Sequence, residues 1–340
     1  MELSVERWEG IAPVEREALA RSLVRQFPSG FTFQAIRRFR LGEGQHHVAL
    51  YRKDNATFAL IPGAEVSLGY DADRPWEPSL DELESWQGTS EEYGIAKTIR
   101  EYVAEVTLRT RRVKLSPFLI ETAASEPGWE PIGIDDPEVQ GILRGYPAQR
   151  QVEVSRGDVT TRVRRGEEGE LVAERSLSHT HADLAAQLAN TGFRFPTSDE
   201  WEYVCGGGAP TLFRWGDHVP CDRYPTDVSP AEAAWRRQWV LSAGKLERPA
   251  EGFTSDWEYH RQPNAFGLLI ASDPYKCELV AEVGVTRGGD GGCTICGGGG
   301  FFVGWLTLAT AYFEEHFCKH DPTEPISHGY TISRRVLELW

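Results

Sequence analysis

The stretch Arg194-Phe-Pro-Thr-Ser-Asp-Glu-Trp-Glu-Tyr203 carries the most specific structural information in this chain of 340 residues. Thr197 and Glu200 are three residues apart, which is the spacing of a capping box at the start of a helix. Trp201 follows directly, and a tryptophan at this position can bury a large apolar surface. The stretch therefore predicts a helix that begins near residue 198 and is anchored in the core by Trp201.

Other motifs lie on both sides of this stretch, in a fixed order. They are Phe58-Ala-Leu-Ile-Pro-Gly-Ala-Glu-Val-Ser-Leu-Gly69, Arg214-Trp-Gly-Asp217, Asn264-Ala-Phe-Gly-Leu268, and Arg287-Gly-Gly289 leading to Cys293. Together with the first stretch they resemble the motifs of the formylglycine-generating enzyme family, also called the sulfatase-modifying-factor family. The resemblance covers roughly the last four-fifths of the chain.

The resemblance implies an α+β fold, the formylglycine-generating-enzyme-type variant of the C-type-lectin-like fold. That fold has a small antiparallel sheet, few helices and much ordered loop. We expect residues 1–45 to be an N-terminal extension with a short helix over 13–27, and residues 46–340 to form the family-like domain. The polar segment 151–175 is expected to be an exposed insertion, either a hairpin or a mobile segment. The family also binds structural calcium, which makes Asp217 a candidate Ca²⁺ ligand.

The resemblance places the candidate active site at Arg287–Cys296. The family carries two cysteines five residues apart that bind Cu(I) and activate oxygen, with a serine just upstream. Cys293 stands at the first cysteine position here, whereas Gly298 stands at the second and Cys296 comes two residues early. Asp290 replaces the serine. The implied catalytic residues are Cys293, Cys296 and Asp290, and the implied substrate-binding residues are Arg287, Gly288 and Gly289.

The residues themselves leave several roles open. Two thiols in Cys-x-x-Cys spacing can converge on a soft metal, which favours Cu(I) or zinc. The same spacing suits a redox disulfide, and Cys293 and Cys296 could also be small buried side chains in a glycine-rich loop. Asp290 could act as a metal ligand or general base, or it could cap backbone amides of the loop.

Composition limits the partners. The chain has 36 basic and 51 acidic residues and a net charge of −15. The long-range electric field of the protein therefore repels nucleic acid and anionic membranes. The first ten residues do not have the pattern of a secretory signal. Six cysteines are too few for a disulfide scaffold in a chain of this size. For these two reasons we expect a cytoplasmic protein with reduced thiols. The resemblance implies a Cu(I)- and oxygen-dependent oxidoreductase that acts on a thiol or peptide through Cys293 and Cys296. The alternatives are a non-catalytic ligand- or protein-binding module and a zinc-stabilised structural loop.

Local patterns predict several further elements. Residues 48–51 and 58–61 should form a hairpin around Lys53-Asp-Asn55. Helices are expected after the capping box Ser79–Glu82, over 89–107 and over 181–189. One strand is expected over 112–120. No regular periodicity is evident after Gly206.

Overall fold

A computed structural model describes residues 3–74, 76–157, 159–166, 169–242 and 244–339. Over these residues the protein is a mixed α+β structure in which most strands belong to small antiparallel sheets. The helices are α1 (Val5–Gly10), α2 (Pro13–Leu23), α3 (Leu80–Tyr93), α4 (Ile99–Glu105), α5 (Pro137–Gly145), α6 (His181–Asn190), α7 (Ser198–Gly206), α8 (Pro230–Leu241), α9 (Cys293–Cys296), α10 (Phe301–Leu306) and α11 (Glu315–Cys318). The strands are β1 (Thr32–Leu41), β2 (Gly44–Lys53), β3 (Ala56–Ile61), β4 (Ala64–Leu68), β5 (Arg111–Leu115), β6 (Phe118–Glu121), β7 (Trp129–Pro131), β8 (Gln151–Arg156), β9 (Val159–Arg165), β10 (Leu171–Ser176), β11 (Cys277–Leu279), β12 (Thr286–Arg287), β13 (Thr331–Ile332) and β14 (Val336–Glu338).

The central sheet has five strands in the order β1-β2-β3-β6-β14, all antiparallel. Its middle strand β3 is apolar on both faces. Phe58 and Leu60 pack in one core cluster with the N-terminal helices, whereas Ala59 and Ile61 pack in another with α7. Because successive strand residues point to opposite faces, this continuous apolar run fits a strand that is buried on both sides.

The N-terminal segment is part of this arrangement. Strand β1 pairs along β2 from Thr32 to Leu41, and Trp8 of α1 and Leu23 of α2 are buried in the core cluster that contains Phe58. The segment predicted as an extension therefore supplies an edge strand and two packed helices.

Three smaller sheets complete the structure. Strands β7-β10-β9-β8 form an antiparallel sheet, β4 pairs with β5, and β12-β11-β13 form a three-stranded sheet in which β11 and β13 are parallel. The last sheet carries Arg287 at the end of β12 and so leads directly into the glycine-rich segment. None of the helices in the described parts of the chain is long and apolar enough to cross a membrane.

The segment 151–175 was expected to be an exposed insertion, and its described residues form part of a folded unit. Strands β8, β9 and β10 pair with β7, and α5 packs against them. This unit has its own apolar core of Val139, Ile142, Val152, Val163 and Ala173. The alternation of small apolar and charged residues thus reflects one packed and one solvated sheet face.

Capping predictions are confirmed, because capping depends on neighbouring residues. Ser79 and Thr197 each accept a hydrogen bond from the amide three residues later, and each has the reciprocal acidic contact. Thr180 caps α6 in the same way, although only the helix was predicted there. The predicted hairpin also forms, with Lys53 opposite Ala56.

Two predictions on element boundaries are wrong, and one helix was not predicted. The helix expected over 89–107 is two helices, because Gly94 adopts a left-handed conformation at the end of α3 and Thr98 caps a new helix, α4. The strand expected over 112–120 is divided into β5 and β6, which Pro117 separates. Helix α8 lies in the region after Gly206 that showed no periodicity.

Candidate functional site

Arg287 fixes the start of the glycine-rich segment inside the protein. Its guanidinium lies 3.0 Å from the carboxylate of Glu202 on α7 and donates to Ser198 Oγ and to the carbonyl of Thr310. The aromatic ring of Trp201 lies 5.2 Å from the guanidinium carbon. Arg287 is fully buried, so the predicted substrate-binding residue serves here as an anchor for the loop.

Two predicted substrate-binding glycines, Gly288 and Gly289, are also buried and both have positive φ values. A Cβ on Gly289 would lie 2.4 Å from the carbonyl oxygen of Lys276. The backbone therefore requires glycine at this position for close packing against the segment before β11. Gly292 is constrained in the same way, since a Cβ there would lie 2.1 Å from the ring of Tyr275.

Asp290 is nearly buried and its carboxylate caps the start of α9. One oxygen accepts from the amide of Gly292 at 2.8 Å, and the other accepts from the amide of Thr294 at 2.8 Å and from the Thr294 hydroxyl. These bonds satisfy backbone donors of the tight turn before the helix. The geometry matches the capping role that the sequence left open for this residue, and both carboxylate oxygens are already engaged.

Cys293 and Cys296 form the two ends of α9, a single helical turn. Both thiols are free and both residues are exposed. Residues three apart on a helix are neighbours on its surface, so the structure brings the two predicted cysteines to one face of the loop. The hydroxyl of Tyr275 lies 3.3 Å from the sulfur of Cys296.

The local electrostatics disfavour a thiolate at Cys293 without a bound cation. Burial, the charge of Asp290 and the neighbouring Cys296 all raise the pKa of Cys293 above its ordinary value. Burial and the contact with Cys296 raise the pKa of Tyr275 to about 12. At neutral pH Cys293 is therefore mainly a thiol and a weak nucleophile. A soft metal that binds would have to displace its proton.

An apolar cleft of about 940 Å³ adjoins the cysteine pair. Helix α8 forms one wall, and Tyr275 and Ile295 lie on the other with Phe301. Cys296 is part of the lining, whereas Cys293 is not. The arrangement gives one of the two thiols direct access to a pocket of the size that holds a small organic molecule.

Donors for hard cations are scarce. The carboxylate of Asp217, the predicted calcium ligand, pairs with Arg74 and accepts from the amide of Leu212 at 2.9 Å. Calcium needs six to eight converging oxygens. The described residues contain no cluster of three or more His, Cys, Asp or Glu side chains suited to a metal. The geometry around Asp217 is that of a loop held by a salt bridge.

Sequence reasoning did not identify Glu202, Tyr275 or α8 as parts of this region. Glu202 belongs to the stretch Arg194–Tyr203, but its role depends on arginines that are distant in the sequence. Arg111 lies 2.9 Å from Glu202 and Arg287 lies 3.0 Å from it. The aromatic residues of α8, at positions 235 and 239, were the one available signal for that wall of the cleft, since they are four residues apart.

The chain matches none of the protein-family models against which it was scanned. A search of curated proteins likewise finds no match.

Proposed function

We propose that the chain is a divergent relative of the formylglycine-generating enzymes, with their variant of the C-type-lectin-like fold, and that Cys293 and Cys296 form a Cu(I)-dependent oxidoreductase site for a thiol or peptide substrate. One observation carries the proposal: the two thiols are exposed one helical turn apart, and one of them lines an apolar cleft.

The donor set fits copper better than zinc. Soft thiolates select Cu(I), and two thiols are what α9 offers. A structural zinc site is usually closed by four protein ligands. The described residues contain no group of three or more His, Cys, Asp or Glu side chains that could hold a metal, and both oxygens of the nearby Asp290 already accept hydrogen bonds. Both cysteines are exposed, and Asp290 already holds the loop through hydrogen bonds to its backbone amides. These two observations argue against a metal ion whose role is only structural.

Bound Cu(I) would supply the oxygen-reactive, one-electron chemistry that side chains lack. The protein's own contribution is to hold the two sulfurs. Arg287 and Asp290 fix the loop that leads into α9, and Tyr275 orients the sulfur of Cys296 through its hydroxyl. Both thiols must lose a proton to ligate a metal, so the raised pKa of Cys293 predicts that copper affinity increases with pH.

The test is an anaerobic titration of the reduced protein with Cu(I) in competition with a chromophoric chelator. The wild type should bind one equivalent, and Cys293→Ser and Cys296→Ser should each lose it. Cys277→Ser removes a half-buried thiol outside α9 and should bind as the wild type does. A wild type that takes no copper from the chelator, or serine variants that bind normally, would overturn the proposal.

A binding module without chemistry is the second candidate, favoured by the size and apolar lining of the cleft. Replacing both cysteines of α9 by serine separates the two functions. Ligand binding that survives this change, together with absent copper binding in the wild type, would favour the module.

A further inference from the structure

The cleft beside Cys296 is built largely from aromatic and aliphatic side chains, most of them on α8 and the others at Tyr224, Tyr275, Ile295 and Phe301. Trp235 and Trp239 of α8 face it from one side. Trp235 is held in place, since its indole donates to the carbonyl of Glu247 at 3.0 Å and its ring contacts that of Phe253. Trp239 keeps an exposed fraction of 41%. A volume of about 940 Å³ falls at the upper end of the range of about 300–1,000 Å³ that is typical of small-molecule sites.

Charge is unevenly distributed within this cleft. Arg236 lies 2.8 Å from the buried carboxylate of Asp227, so those two charges neutralise each other. Arg237 is exposed and its guanidinium carbon lies 5.7 Å from the ring centroid of Phe301. Within the described parts of the chain no carboxylate pairs with Arg237. The lining thus has a net positive charge in a protein whose total charge is −15.

We propose that the cleft binds a small aromatic thiol that carries a carboxylate, with its ring between α8 and Tyr275, its acid group at Arg237 and its sulfur at Cys296. This inference rests on the proposed function, because it names the substrate class for the same cysteine pair. Aromatic walls favour a flat apolar body, and a guanidinium recognises a carboxylate through paired N–H donors. The rest of the protein is negatively charged and repels anions, so a local cation such as Arg237 is the group that would attract the carboxylate.

The experiment measures binding without chemistry by isothermal titration calorimetry. The probes are 4-(methylthio)benzoate, whose sulfur is capped, and its neutral carboxamide. The carboxylate should bind with one-to-one stoichiometry and about tenfold more tightly than the amide, as expected for one charge-assisted contact worth about 1.4 kcal/mol. Arg237→Gln should remove that preference, and Trp239→Ala should weaken both probes about tenfold by removing an aromatic wall.

Two changes at the C-terminal end of α5 serve as matched controls, one in its last turn and one at the residue that follows it. Arg144→Gln neutralises an exposed helical arginine in the separate four-stranded unit, and Tyr146→Ala removes an aromatic ring with an exposed fraction of 46%. Both should bind the two probes as the wild type does. Equal affinity for carboxylate and amide would overturn the inference, and so would a preference that persists in Arg237→Gln or no binding of either probe. The inference would also be overturned if a cysteine-containing peptide displaced bound 4-(methylthio)benzoate and 4-mercaptobenzoate did not. That result would assign the cleft to peptides.

Failure of the inference and failure of the proposed function can be told apart. The capped probe should still bind when Cys293 and Cys296 are both serine, since neither sulfur is needed for its ring and acid contacts. Copper titration of the wild type reports on the cysteines alone. Probe binding without copper binding would contradict the proposed function, and copper binding without a carboxylate preference would contradict this inference.

Discussion

The guanidinium of Arg287 lies 3.0 Å from the carboxylate of Glu202, with exposed fractions of 0% and 1% for the two side chains. This ion pair joins the helix of the capping-box motif to the strand that leads into the cysteine loop. Glu202 also receives Arg111 and the amide of Gly69. One buried carboxylate therefore connects the stretches that contain Gly69, Glu202 and Arg287. Its loss would remove the acidic partner of Arg287, whereas Arg111 would keep its pair with Asp199.

Glu202→Ala should destabilise the protein by about 3–5 kcal/mol, which is typical of a buried pair that loses one partner. Urea unfolding followed by circular dichroism would measure the change. Glu17→Ala breaks an exposed pair with Arg21 and should alter stability little. A Glu202→Ala protein as stable as the control would show that the buried network contributes no net stability.

Gly289→Ala should cost about 2–4 kcal/mol, because it combines a left-handed backbone with a clash against a carbonyl. Gly94→Ala is the matched control. Its φ value is also positive, but a Cβ there meets no atom within 4 Å, so only about 1–2 kcal/mol is expected. Thermal or urea unfolding of both variants gives the comparison. If both variants lose the same free energy of unfolding, the segment before β11 must shift to accommodate the added methyl group.

Asp290→Asn should make Cys293 more reactive at neutral pH. Burial and the charge of Asp290 raise the pKa of this thiol in the wild type, so removing the charge lowers the pKa and increases the thiolate fraction. The pH dependence of alkylation at Cys293, followed by peptide mass spectrometry, should shift to lower pH in the variant. Glutathione gives the reference profile for an unperturbed thiol. An unchanged profile would contradict the electrostatic role of Asp290.

The same residue allows a second test of its structural role. Asp290→Ala removes all three accepted bonds and should increase hydrogen exchange across α9, at a cost of about 1–2 kcal/mol typical of lost caps. Copper affinity should persist in Asp290→Asn if the residue is a cap. Loss of copper binding in Asp290→Asn with α9 still protected would instead make Asp290 a ligand.

His260 should make folding less favourable in acid. Burial, with the charges of Arg261 and Arg214, lowers its pKa to about 3, whereas an unfolded histidine titrates near 6.5. Between these values the unfolded chain binds the extra proton, so stability is retained above about pH 6.5 and is lost progressively as the pH falls toward 3, by up to about 1.4 kcal/mol per unit.

Urea unfolding at several pH values would show this slope, and His260→Gln should reduce it, because glutamine does not titrate and can still donate to the carbonyl of Pro225. His316→Gln changes an exposed imidazole and should keep the wild-type slope. An identical slope in His260→Gln would place the acid sensitivity elsewhere.

The sequence by itself determined the features that rest on neighbouring residues. The helices that begin after Ser79 and Thr197 follow from hydrogen bonds over three residues. The side-chain oxygen of Asn264 likewise accepts from the nearby amides of Phe266 and Leu268. Such contacts are encoded in side-chain type and spacing, so they can be inferred before the fold is known.

Only the tertiary structure decided which residues are buried and which are accessible around the cysteine loop. Arg287 and Glu202 are 85 positions apart, and α8 reaches Cys296 across a long irregular stretch without periodicity. Pairings of this kind depend on how loops close and which faces pack, and neither spacing nor composition specifies them. The motif could place two cysteines one turn apart; the packing of α8, Tyr275 and Arg287 determined that they stand exposed beside a cleft.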